Sequence, residues 1–306
     1  MNLSPRRWVA AVLLVTATTL GFAPGPVAQV RDYVATSLAM NVRAPSGGTP
    51  YQPAPVGDPP AVRIAAAGDV GTGDREERET AQAMASLAGV PYDALVLLGD
   101  NVYPSGDPSR LDATVFSPFG DLLDDGAALV PALGNHDVRD GNGPGQVEAL
   151  SMPGRWYTWR SGPALIVVLD STRADDPAQR AWLETTLATT DAVWRIVALH
   201  HPPYSAGWHG SSENVRRALE PLFNQYGVQL VLAGHDHDYQ RSEPINGTTY
   251  VVSGAGARTR PTDRAPFTAV SWSTQHFVDL QIWPDRLELQ AVAQDGLAYD
   301  SFELRP

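Results

Sequence analysis

Five short apolar runs in this 306-residue chain break off at residues that bind metals. Ala61–Ala67 ends at Gly68-Asp69, and Ala94–Leu98 ends at Gly99-Asp100. Ala128–Leu133 ends at Gly134-Asn135-His136-Asp137, Val193–Leu199 at His200-His201, and Val228–Ala233 at Gly234-His235-Asp236-His237. Carboxylates, an amide and imidazoles form an oxygen and nitrogen donor set that suits zinc, manganese or iron rather than a soft metal. With no cysteine in the chain, thiolate sites, iron–sulfur clusters, cysteine nucleophiles and disulfides are excluded. The donors are too many for one tetrahedral ion. Two ions about 3.5–4 Å apart, bridged by a carboxylate, would use them all. Asp100 is the natural bridge, because its loop follows a strand central to the block. A Gly-Asp turn such as Gly68-Asp69 is common by itself. Gly134-Asn135-His136-Asp137 and Gly234-His235-Asp236-His237 are more specific, since a polar cluster after an apolar run does little for folding. In an extended segment, His235 and His237 would point the same way, so both could meet metal.

Runs of five to seven apolar residues bounded by turn residues suit buried strands. A sixth run, Ala164–Leu169, ends at Asp170-Ser171. Helices are expected between them over Asp74–Leu87, over Pro177–Leu187 with proline at its first position, and over Ser212–Tyr226, stopped by Gly227. Strands alternating with helices predict an α/β sheet with buried faces, which takes ligands beyond the carboxyl ends of its strands. The C-terminal runs Phe277–Trp283, Leu287–Val292 and Tyr299–Leu304, separated by Pro284-Asp285 and Asp295-Gly296, predict antiparallel strands.

Composition limits the partners. The net charge is −12, and all 22 basic residues are arginine. That balance argues against binding a nucleic-acid backbone, which needs a basic face. An apolar fraction of 43% with eight tryptophans supports a packed core. At the N-terminus, Arg6-Arg7 precede the apolar run Trp8–Ala23 and then Pro24-Gly25-Pro26. The run is shorter than the roughly 20 residues of a bilayer span, so residues 1–28 read as an export signal, with an uncleaved membrane anchor as the alternative. Residues 29–60 read as a linker, with six prolines between Ala44 and Pro60 that forbid a helix or a central strand. Residues 61–306 form the expected catalytic domain, and the expected location is secreted, periplasmic or at the cell surface.

The motifs Gly68-Asp69, Gly99-Asp100, Gly134-Asn135-His136, His200 and Gly234-His235-Asp236-His237 resemble those of the calcineurin-like metallophosphoesterases. Most of that superfamily carry Asp-x-His in the first motif, where this chain has Asp69-Val70-Gly71. The second reads Gly99-Asp100-Asn101-Val102-Tyr103, and a tyrosine in place of the missing histidine is similar to purple acid phosphatases of the small, single-domain type. The resemblance implies an α/β fold of four layers (αββα), two mixed β-sheets flanked by helices. It implies an acid phosphatase acting on small phosphomonoesters by in-line attack of metal-bound hydroxide. It assigns Asp69, Asp100, Tyr103 and His237 to Fe(III), and Asp100, Asn135, His200 and His235 to a divalent ion, which is Fe, Zn or Mn. His136 and His209 are then the histidines that contact substrate.

Charge agrees with those roles. A phenolate suits a hard, highly charged ion. The two ions carry about +5, and two aspartates and one tyrosinate remove about 3, leaving roughly +2 for a phosphate dianion. Rival activities are a phosphodiesterase or nucleotidase with the same metals, or a surface protein that only binds. His201 is expected to point elsewhere than His200 and to support the site or the fold rather than ligate, and His276 to be structural. Asp137, Asp236 and Asp238 either orient ligand imidazoles or cap loop amides. Gly254-Ala255-Gly256 after Tyr250–Ser253 lacks the spacing of a nucleotide fingerprint and reads as a tight turn near the site.

Overall fold

The computed structural model describes residues 43–87 and 89–306. The export signal expected over residues 1–28 and the first part of the linker lie outside the described residues. Among them, the first sheet is built from β1 (Thr49–Pro50), β2 (Val62–Ala67), β3 (Ala94–Leu97) and β4 (Ala128–Pro131). The second is built from β5 (Tyr157–Ser161), β6 (Ala164–Val168), β7 (Trp194–Ala198), β8 (Leu230–Ala233), β9 (Tyr239–Ser242), β10 (Thr249–Ser253) and β11 (Thr268–Trp272). The chain then returns to the first sheet as β12 (His276–Ile282), β13 (Leu287–Ala293) and β14 (Leu297–Leu304). Strand order is β1-β14-β13-β12-β2-β3-β4 in one sheet and β11-β9-β10-β8-β7-β6-β5 in the other. Both are mixed: β2, β3 and β4 run parallel, as do β6, β7, β8 and β10, and the remaining pairs are antiparallel. The helices are α1 (Arg75–Leu87), α2 (Gly120–Asp124), α3 (Gly143–Ala149), α4 (Pro177–Thr189) and α5 (Glu213–Gln225).

The period of two along a strand separates the layers. In β6, Ile166 and Val168 join an apolar cluster shared with Ile64 and Val96 of the first sheet. Their neighbours Leu165 and Val167 join a second cluster with Leu183 of α4 and Val215, Leu219 and Phe223 of α5. Apolar residues on both faces are what a strand covered on both sides requires, and they produce the uninterrupted hydrophobic runs seen in the sequence. Met84 and Ala81 of α1 pack into the cluster shared by the two sheets.

The described part of the Pro-rich segment forms no helix and no central strand, yet it does not run free of the sheet. Thr49-Pro50 pairs with β14 at the edge, a place where proline is tolerated. Tyr51 behind it is buried. Its hydroxyl bonds to Asp279, and Arg63 donates to that same hydroxyl. Arg63 also donates to Tyr92 at 3.1 Å and forms a buried ion pair with Asp279 at 2.9 Å.

Helix boundaries lie within two residues of the sequence expectation. Sequence reasoning missed β5, β9, β11, α2 and α3, because none carries an apolar run. Tyr239-Gln240-Arg241-Ser242 of β9 is a strand only because β10 and β11 pair with it from either side.

Candidate metal centre

The donor-bearing loops leave the carboxyl ends of β2, β3 and β4 in one sheet and of β7 and β8 in the other, so the site lies across the seam between the sheets. Two backbones must approach closely there. A Cβ on Gly234 would lie 2.6 Å from Asp69 Oδ2, and one on Gly99, whose φ is +86°, would lie 2.7 Å from His200 Nδ1. Asp69, Asp100 and His235 themselves adopt φ of 58°, 55° and 72°. Left-handed backbone costs a non-glycine residue about 1 kcal/mol or more, and such strain gathers at functional sites.

The φ of His235 corrects one expectation. The Gly234–His237 segment is not extended, so His235 and His237 do not reach the site by alternation along a strand. The turn sends them to different places. His237 Nε2 lies 3.3 Å from Asp69 Oδ1 and 3.3 Å from the Tyr103 hydroxyl, which is itself 3.0 Å from Asp69 Oδ1. His235 Nδ1 lies 3.2 Å from His200 Nε2, which is 3.0 Å from Asn135 Oδ1. Asp100 stands between the two groups. Its Oδ1 is 3.5 Å from His200 Nε2, and its carboxylate is near enough to the Tyr103 phenol to raise its pKa. Donors bound to one ion at about 2.0–2.2 Å lie about 3.0–3.5 Å apart, which is the spacing inside each group.

Hydrogen-bond accounting points to cations. His200 Nδ1 is 2.9 Å from the Leu98 carbonyl oxygen, which only accepts, so the proton sits on Nδ1 and Nε2 carries a lone pair. That lone pair faces the oxygens of Asn135 and Asp100. A positive ion would satisfy all three. His200, Asp69 and Asp100 are buried, so these acceptors are drawn away from bulk solvent. Burial pushes His235 down to about 2, with His200 and His201 adding to the effect, which keeps it neutral and able to ligate. Burial opposes ionisation of Asp69, yet its carboxyl is held below the ordinary range, with the His237 imidazole at 3.3 Å among the groups that favour the anion. Tyr103 is raised well above the ordinary phenol by burial and then by Asp69 and Asp100. Its phenolate therefore needs a compensating cation, and the donor set fits two metal ions.

The calcineurin-like phosphoesterase family matches residues 62–239, a span that holds all seven proposed donors. The chain belongs to the calcineurin-like phosphoesterase family. Tartrate-resistant acid phosphatase type 5 of Oryctolagus cuniculus is 31% identical over 242 residues, 65% of this chain and 74% of that protein. A purple acid phosphatase, PPD1, from yellow lupin seeds shares the fold with a TM-score of 0.70 at 20% identity, over 84% of this chain and 55% of that one. GAP50, the anchor in the inner membrane complex of Plasmodium, shares it with a TM-score of 0.69 at 18% identity, over 80% and 88% of the two chains. The chain has the fold of this phosphoesterase family, and Asp69, Asp100 and His200 lie close enough together to hold a metal ion.

Around the phosphoesterase donors, buried acids hold backbone in place. Asp137 accepts from Gly134 N at 2.8 Å, Asn101 Nδ2 at 3.0 Å and Val102 N at 3.1 Å, and burial raises it to about 8. Asp236 accepts from His209 N at 2.6 Å and from Ser205 Oγ, and Asp238 accepts from Gln240 Nε2 at 3.0 Å. Of the two roles open for these acids, binding loop amides and neighbouring side chains describes the contacts seen. His136 Nδ1 donates to the Pro104 carbonyl at 2.6 Å, which turns Nε2 toward Asp100 at 3.9 Å. His209 stacks on His235 with ring centroids 4.3 Å apart. His201 does not point elsewhere than His200: its ring centroid lies 4.5 Å from that of His235 and 4.9 Å from that of His200, while its Nδ1 lies 2.9 Å from Ser171 Oγ, a contact in keeping with a supporting role. His276 is buried against Trp272 and Tyr239, with Nε2 at 3.0 Å from Ser253 Oγ. Arg260, whose Nη1 lies 2.9 Å from His209 Nε2, escaped sequence reasoning. Its only cue is the Gly254-Ala255-Gly256 turn that precedes it at the same rim.

Proposed function

We propose that the chain is an exported acid phosphatase hydrolysing small phosphomonoesters at a centre of Fe(III) and a divalent iron, zinc or manganese ion. The observation that carries this is the division of the donors into Asp69/Tyr103/His237 and Asn135/His200/His235, with Asp100 between them. The first group holds the phenol and suits the ferric ion, and the second, two neutral imidazoles and an amide, suits the divalent one. Bound ions there supply a nucleophile at mild pH and neutralise charge on the phosphoryl group.

The protein's own residues do the rest. Buried Asp69 and Asp100 set the spacing of the two groups and exclude water from behind them. Because His136 commits its Nδ1 proton to Pro104 O, Nε2 is the nitrogen it presents to substrate and the one that can pass a proton to a leaving alcohol. His209 is on the opposite side, against His235. The Arg260 guanidinium can only donate, so His209 Nε2 accepts from it. His209 therefore steadies substrate, and the acid role falls to His136.

The test is phosphate release from p-nitrophenyl phosphate and from its bis-ester by protein supplied with iron and zinc, alongside metal analysis. Two ions per chain with the monoester preferred is the expected result. Faster diester cleavage makes the protein a phosphodiesterase. Two bound ions without turnover of either ester makes it a binding protein.

A further inference from the structure

We propose that Arg260 is a specificity-determining residue that reads a negative charge on the leaving group of the substrate. The inference rests on the phosphatase reading above. Seen outward from the donors, the order is His200, then His235, then the stacked ring of His209, then the guanidinium. Arg260 thus faces the part of an ester that lies beyond its scissile phosphoryl group.

The guanidinium is placed by its backbone and not by an ion pair. Arg260 N donates to His237 O at 2.8 Å, and Arg260 O accepts from Ser273 Oγ at 2.6 Å. These bonds tie it to the loop that carries a proposed ligand. Its side chain uses one of five donors, on His209. No carboxylate lies within 4.0 Å of it among the described residues, whereas Arg258 two positions earlier pairs with Asp74 at 2.9 Å. A second arginine, Arg139, lies near His136 without touching its ring: it donates to the Pro104 carbonyl that His136 also bonds, at 3.2 Å, and has no carboxylate partner among the described residues.

In a chain of net charge −12, cations left unneutralised at the rim of a phosphate site favour an anionic ligand. Arginine's planar fork matches the oxygens of a carboxylate or a second phosphate. A neutral alcohol as leaving group gives it nothing to bind. Arg260 transfers no proton at any stage. It contributes donors and charge.

Phenyl phosphate and 4-carboxyphenyl phosphate differ by one carboxylate and form the matched test, with pyrophosphate as a second anionic case. Arg260→Gln is expected to lose about ten- to hundredfold more kcat/KM on the two anionic substrates than on phenyl phosphate, mostly through KM. Arg260→Lys should recover part of that difference. In the wild type, the preference for the carboxylated ester should shrink as salt is raised. Equal losses on both aryl esters would show that Arg260 only supports His209, and would overturn the proposal. A wild-type preference indifferent to salt would overturn it as well. If the wild type turns over none of these esters, the phosphatase reading falls, and this inference with it.

Discussion

Replacing Tyr103 by phenylalanine removes one oxygen from one of the two donor groups and little else. The ring keeps its edge-to-face contact with His136 at 4.6 Å. The lost hydroxyl donates to Asp69 Oδ1 at 3.0 Å and lies 3.3 Å from His237 Nε2. Two consequences follow from these distances. In metal-free protein the substitution deletes one buried hydrogen bond to a carboxylate, a loss of about 1.5–3 kcal/mol. In loaded protein the ferric group keeps Asp69, Asp100 and His237 but has no phenolate. Losing a direct ligand should weaken that ion by more than the about hundredfold that an outer partner costs. The Asn135/His200/His235 group is untouched and should keep its ion. The assay combines metal analysis with the visible spectrum of the oxidised protein. Wild type should hold two ions and show a broad band in the green-to-yellow region. Tyr103→Phe should lose the band and the ferric ion while retaining the divalent one. A band that survives the substitution, or equal loss of both ions, would refute the division of the donors into two groups.

Other substitutions probe the support of the site. Asp236→Asn weakens the anchor that takes His209 N at 2.6 Å. A misplaced His209 should lower kcat on phenyl phosphate by up to about a hundredfold, and unchanged turnover would remove His209 from the reaction. Glu77 is buried at the start of α1 and accepts from Thr72 Oγ1 at 3.2 Å and from Gly73 N. Burial raises its pKa from 4.5 to about 8. Between those values the folded chain keeps a proton that the unfolded chain has lost, so this group lowers stability as pH rises, by up to about 5 kcal/mol in all. Glu77→Gln should therefore raise Tm at pH 8 more than at pH 4.5, and an equal shift at both would refute the argument. Arg63→Met removes the cation paired with Asp279 at 2.9 Å and leaves that buried carboxylate only the Tyr51 hydroxyl named above. Urea unfolding should report a loss of about 3–5 kcal/mol, and a neutral result would mean that the pair is not held in the dry interior the structure gives it.

Much of the fold was legible because the strands that carry the chemistry are covered on both faces. Ala94–Leu97 and Leu230–Ala233 are buried throughout, so no polar residue interrupts them, and each ends abruptly at its donor. That is why Asp69, Asp100, Asn135, His200, His235 and His237 stood out by position alone. Tyr103 needed the family resemblance, since a tyrosine three residues past an aspartate has no local mark. β9 and β11 were not legible, because their pairing is decided by neighbours distant in the chain.

The order of donors along the chain, their oxygen and nitrogen chemistry, the absence of thiols and the alternation of strands with helices belong to the sequence alone. Each is a property of residue type and spacing. Which donors come together belongs to the tertiary structure. A left-handed turn at His235 parts two histidines that stand two residues from each other, and the meeting of two sheets brings Asp69 to His237 and Asn135 to His200. The placement of Arg260 beside His209, 51 residues away in the chain, belongs there too. Long-range contacts of this kind arise from the packing of whole layers, and nothing in the local pattern of either segment encodes them.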